Sequence, residues 1–160
     1  MKTLAYLGLF FLLSACASVY GQDYPDWETA VQQNRTLWES QHITHYRMLV
    51  VLPHSSSSYG SLPMPLTVEV KDGVVISVVD ADSKMILPTD YADASYYYQN
   101  FFTIPGLFSY TGQYYLKKPP AMRVTFDQVL GYPNSIYIDP WREPCCQDFT
   151  ITVQNFQILP

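Results

Sequence analysis

A chain of 160 residues has room for one domain built around a single core. Its 14 acidic and 9 basic side chains give a net charge of −5 with no basic cluster, which argues against nucleic acid as a partner and against electrostatic docking to anionic lipid. Aromatic residues at 16%, 14 tyrosines among them, against only 14% charged residues exclude an intrinsically disordered chain.

The N-terminal residues read as an address. Lys2 supplies a positive n-region, and residues 4–13 are an uncharged, mostly apolar run. That run suits the h-region of a signal peptide and is well short of the roughly 20 residues that span a bilayer. Leu13-Ser14-Ala15-Cys16 follows and resembles the lipobox of bacterial lipoproteins. Small residues let the chain enter the peptidase, and the Cys16 thiol carries the lipid. The expectation is a signal peptide over residues 1–15, lipidation at Cys16, a tether over residues 16–25 and one domain over residues 26–160. Several acyl chains, as a mature lipoprotein carries, anchor a protein stably to a membrane. Ala17 stands where an inner-membrane retention signal has Asp. The expected location is therefore the outer membrane facing the periplasm, where the host has one. The alternative is plain secretion, with Ala15-Cys16-Ala17 as the cleavage site.

Asp26 reads as an N-cap for a helix to about Gln41, with Trp27, Ala30, Val31, Asn34 and Trp38 on one stripe. Residues 45–52 form the first expected strand. Tyr46, Met48, Val50 and Leu52 share a face, and Leu49 and Val51 on the other mark the strand as central. Pro53 and the serines at 55–58 end it in a loop. Residues 66–79 predict a hairpin. A two-residue Asp72-Gly73 turn pairs Val70 with Val75, whereas a three-residue loop pairs Val70 with Val74, Val68 with Ile76 and Leu66 with Val78. The second places six apolar residues on one face, so it is the expected register, with Gly73 left-handed in a G1 bulge.

Residues 80–100 are polar and irregular. Thr103-Ile104-Pro105 resembles a helix start, and Leu107, Phe108, Tyr110, Thr111 and Tyr115 fit a short helix. Met122, Val124 and Phe126 predict a half-buried strand, residues 129–134 a turn, and Ile136 and Ile138 the inward side of another strand. Phe149, Ile151 and Val153 face inward from a last strand, and Phe156 and Ile158 break its parity. A bulge near Gln154 or Asn155 restores it. The expected fold class is α+β: an antiparallel sheet of five to six strands, with the N-terminal helix and the short mid-chain helix on one face.

Candidate chemistry is sparse. His42 and His45 have a ligand-like spacing, but no HExxH motif or third ligand accompanies them, so a structural or solvent role is expected. Asp80-Ala81-Asp82-Ser83 lacks the glycine and distal glutamate of a calcium loop and reads as a solvated strand end. Asp127, Asp139, Glu143 and Asp148 offer paired carboxylates if the sheet gathers them at one end; caps and turn bonds are the preferred reading. Gly131-Tyr132-Pro133 reads as a turn. Residues 96–115 are rich in aromatics. Core packing is preferred for most of them, with Tyr96, Tyr97 and Tyr98 as a candidate partner surface because three consecutive side chains cannot all face a core. Cys145 and Cys146 remain after Cys16 is lipidated. Their Cα atoms are about 3.8 Å apart, below the usual disulfide range, so three states stay open: a strained vicinal disulfide, two free thiols, or a bond to another chain. The vicinal bond is slightly preferred, as a local clamp. No metal, cofactor or catalytic residue is assigned.

Several segments taken together resemble a family of uncharacterised, mostly bacterial exported proteins, domain-of-unknown-function family 6174. They are Trp38 followed by His45-Tyr46-Arg47, Val68-Glu69-Val70-Lys71-Asp72-Gly73, Thr103-Ile104-Pro105-Gly106, Val124-Thr125-Phe126-Asp127, and Gly131-Tyr132-Pro133-Asn134-Ser135. The resemblance runs from about Trp27 to Phe156. It implies the fold and the exported address, and no activity. The functional expectation is a non-enzymatic envelope binding or scaffold module, held to the membrane through Cys16 and meeting an envelope protein partner of unknown identity. A hydrolase-like enzyme using carboxylates at the sheet end and a structural or inhibitor-like secreted module are the alternatives.

Overall fold

Trp27, Val31 and Trp38 recur on one side of a helix and are buried there, while Glu28, Thr29, Gln32, Gln33 and Glu39 are exposed. This helix, α1 (Tyr24–Ser40), starts two residues before the expected cap. Pro25 then falls in the first turn, where its missing N–H costs no hydrogen bond. The computed structural model describes residues 19–20, 24–52, 64–87, 100–139 and 148–160.

Among the described residues, seven strands make one antiparallel sheet: β1 (Val19–Tyr20), β2 (His45–Val51), β3 (Leu66–Lys71), β4 (Val74–Val79), β5 (Ala121–Phe126), β6 (Pro133–Asp139) and β7 (Phe149–Ile158). Their order is β1-β5-β6-β7-β2-β3-β4. Two meanders, β2-β3-β4 and β5-β6-β7, are joined where β7 returns to pair with β2. The first main strand and the last are thus neighbours at the centre, and β2 is internal, as its two apolar faces predict. The two-residue β1 adds a short seventh strand beside the five to six expected.

One face of this sheet carries the core. Tyr46, Met48, Val50, Leu66, Val68, Val70, Val78, Met122, Val124, Phe126, Ile136, Ile138, Phe149, Ile151 and Val153 are all buried on it. The second helix, α2 (Ile104–Leu116), crosses from one meander to the other on the same side as α1. Trp38 of α1 meets Tyr46 edge-on at 5.6 Å between ring centroids, and Phe108 of α2 lies 6.1 Å from Phe126. The α+β class therefore holds, with both described helices on one face.

The start of α2 is chemically specified. Thr103 is its N-cap, with Oγ1 accepting from Gly106 N at 3.0 Å, and Pro105 sits in the first turn. Ile104 N, still an orphan donor at this end, donates instead to the buried Tyr46 hydroxyl at 3.0 Å. Burial pushes the Tyr46 phenol up to about 12, so it stays protonated.

The β3–β4 hairpin departs from expectation. Asp72 (φ 50°) and Gly73 (φ 77°) form the two-residue turn, and Val70 pairs with Val75. Both central residues have positive φ, the twist-matched hairpin geometry. Ile76 is then an extra residue: Glu69 faces Ser77, and Val68 faces Val78. This bulge on the sheet edge restores parity for Val78 alone. Val74 and Ile76 end up 62% and 51% exposed, so the six-residue apolar face of the three-residue loop does not form. The bulge expected in β7 is present. Arg47 pairs with Gln157 and Leu49 with Gln154, and Asn155 takes φ 49°.

Candidate functional site

The opposite face of the sheet carries no described helix, and strand alternation decides what it shows. With Tyr46 and Met48 turned inward, β2 turns His45 and Arg47 outward; with Val68 and Val70 inward, β3 turns Thr67 and Glu69 outward. The register sets Arg47 directly opposite Glu69, and Glu69 opposite Ser77.

A closed ionic cluster results. Arg47 donates to Glu69 Oε2 from Nη2 at 2.6 Å and from Nε at 3.2 Å. The other carboxylate oxygen, Oε1, lies 3.0 Å from His45 Nε2. His45 Nδ1 lies 2.8 Å from the main-chain oxygen of Pro160. Bonds from Arg47 and then from His45 hold the Glu69 carboxyl below its ordinary range. Glu69 in turn raises the His45 pKa, with the Pro160 oxygen adding to the effect. Both carboxylate oxygens and both ring nitrogens are engaged in this arrangement.

Beside the cluster is an open depression of about 360 Å³, lined by Arg47, Thr67, Glu69, Ser77, Val79 and Asp80, and by Ala81 and Ser83 of the turn that follows. Asp80 shapes that turn. Its Oδ1 accepts from Asp82 N at 3.0 Å and from Lys84 N at 2.8 Å. The segment is the solvated strand end expected, directly after β4, and it closes as a turn held by its own carboxylate.

The other sequence candidates separate. His42 is exposed at φ 51° and does not join His45. Asp127 accepts from Val129 N and Leu130 N, and its main chain bonds to Gly131 and Tyr132. It is a turn residue, as preferred. It follows Phe126, at the end of β5 opposite the Ala121–Asp139 pair, so it does not meet Asp139. Asp148 and Asp139 both act on Tyr137, whose pKa is raised first by burial and then by its bond to Asp148. In the aromatic-rich segment Phe101, Phe102, Phe108 and Tyr110 are buried, and Tyr114 and Tyr115 pack against the core. Tyr115 stacks on Trp27 at 4.0 Å. Cys16, Tyr96, Tyr97, Tyr98, Cys145 and Cys146 lie outside the described residues, as do His54, residues 55–58 and Glu143.

The Arg47–Glu69–His45 cluster escaped the sequence reading. Alternation alone places each residue on the outer face. Only the pairing of β2 with β3 brings Arg47 to Glu69, 22 residues along the chain.

Among curated proteins and solved structures nothing matches this chain. A family model does, over residues 30–158: that of a family of unknown function, DUF6174.

Proposed function

The chain belongs to the DUF6174 family, and from that premise we propose that it is an exported, lipid-anchored binding module of the cell envelope. Its contact surface is the outer face of β2, β3 and β4. The depression beside Arg47, Thr67, Ser77 and Asp80 is the observation that carries this reading, since it is open, polar and on the face that the described helices leave uncovered. Saturation of Glu69 and His45 by each other and by Arg47 supports binding over acid–base catalysis. The Leu13-Ser14-Ala15-Cys16 tetrapeptide behind an apolar run of signal-peptide length supports the anchor.

Two experiments test the two halves. Metabolic labelling with a fatty-acid analogue should mark the wild-type protein and not Cys16→Ser; an unlabelled wild type would leave secretion without an anchor. Co-purification of the lipidated protein should recover a stoichiometric envelope partner, which Ser77→Lys, filling the depression, should lose. Unchanged recovery with that variant would move the contact surface elsewhere.

A further inference from the structure

His45 has an acceptor at each ring nitrogen. Nδ1 faces the main-chain oxygen of Pro160 at 2.8 Å, and Nε2 faces Glu69 Oε1 at 3.0 Å. A neutral imidazole carries one N–H and cannot donate to both. Neither partner can donate in return: one is a main-chain oxygen, and the other is a carboxylate kept ionised by Arg47. The arrangement is complete only for the imidazolium.

We infer that His45 is a proton-operated latch that holds residues 159–160 against the start of β2. Protonated, the ring bridges Pro160 to Glu69 across three chain segments. On deprotonation the proton leaves to solvent, and the remaining N–H stays on Nε2, facing the Glu69 carboxylate that Arg47 fixes in place. The Nδ1 lone pair then faces the Pro160 oxygen, and that contact turns from attraction to repulsion. Leu159 N, which donates to His45 O at 3.0 Å, is the main-chain bond next to the latch. The charged groups facing the ring are Glu69 and Lys71 on β3, Arg47 on β2 acting through Glu69, and Pro160 where its oxygen belongs to a terminal carboxylate. Glu69 favours the imidazolium, and Lys71, its cross-strand neighbour, opposes it. The favourable contacts dominate, so the latch opens above the ordinary histidine value of 6.5. It stands independently of the proposed binding role.

The test is made by NMR on the intact protein. The His45 ring is titrated by its nitrogen shifts, and exchange protection of the Leu159 amide, corrected for intrinsic exchange, is followed across the same pH range. His45 should titrate above 6.5, and Leu159 protection should fall several-fold as pH rises through that midpoint. Glu69→Gln should lower the midpoint, and His45→Gln should leave Leu159 protection independent of pH. A midpoint at or below 6.5, or Leu159 protection that ignores the wild-type titration, would overturn the latch.

Discussion

Gly131 lies against the main chain of α1: a Cβ placed on it would stand 2.5 Å from the Asn34 carbonyl oxygen and 3.0 Å from Leu37 Cβ. Its φ of 81° is also one that side chains rarely adopt. The turn between β5 and β6 therefore sets how closely α1 approaches the sheet. Gly131→Ala should cost about 1–3 kcal/mol for the forced displacement and a further 1–2 kcal/mol or so for the left-handed backbone. Urea unfolding measures it; a loss no larger than the backbone contribution of about 1–2 kcal/mol would mean that α1 is free to move away, and a loss below about 0.5 kcal/mol would refute both contributions.

Gly112 gives the opposite sign. It lies inside α2, and a Cβ there meets nothing within 4 Å. Gly112→Ala should stabilise by about 0.5–1 kcal/mol, through helix propensity and a less flexible unfolded chain. A lowered urea midpoint would refute this account of the site.

Tyr46→Phe keeps the ring that packs on Trp38 and Phe156 and removes only the acceptor for Ile104 N. A buried N–H left without a partner costs about 1–3 kcal/mol. The loss should be local to α2, so amide exchange in residues 104–107 should accelerate more than in β6. Uniform acceleration would assign the hydroxyl no special role at the helix start.

The hairpin register is testable through exposure. Ile76→Thr should change stability by less than about 0.5 kcal/mol, as for a surface site. Val78→Ala should cost about 1–3 kcal/mol, as a buried residue losing methyl groups. Equal losses at the two positions would restore the three-residue loop.

The ionic cluster makes stability depend on pH from both sides. Glu69 has a lowered pKa, owing first to Arg47 and then to His45. Its contribution is fully present above the unfolded value of 4.5 and is lost as pH falls through the folded one. His45 has a raised pKa, owing first to Glu69; its contribution is fully present below 6.5 and is lost as pH rises through the folded value. The cluster contributes most between those two values. Glu69→Gln should flatten both flanks of a stability profile taken from pH 3 to pH 9 or so. A variant profile parallel to the wild type would show that the cluster carries no net linkage.

Alternating apolar positions in residues 45–52, 122–126 and 149–153 were enough to assign the buried face of β2, β5 and β7, because side-chain direction in a strand repeats every two residues whatever the strand pairs with. The helix start at Thr103-Ile104-Pro105 and the bulge beside Asn155 were legible for the same reason, being local chemistry and local parity. The exposure of Val74 and Ile76 was not, since the turn at Asp72-Gly73 and the open edge of β4 decided the register against the larger apolar face. Nor was the Arg47–Glu69–His45 cluster, or the contact of Gly131 with Asn34. Each joins residues whose separation along the chain says nothing of their distance in space. Pairing register and the seating of a helix on the sheet set those distances, and both follow from the packing of the whole core.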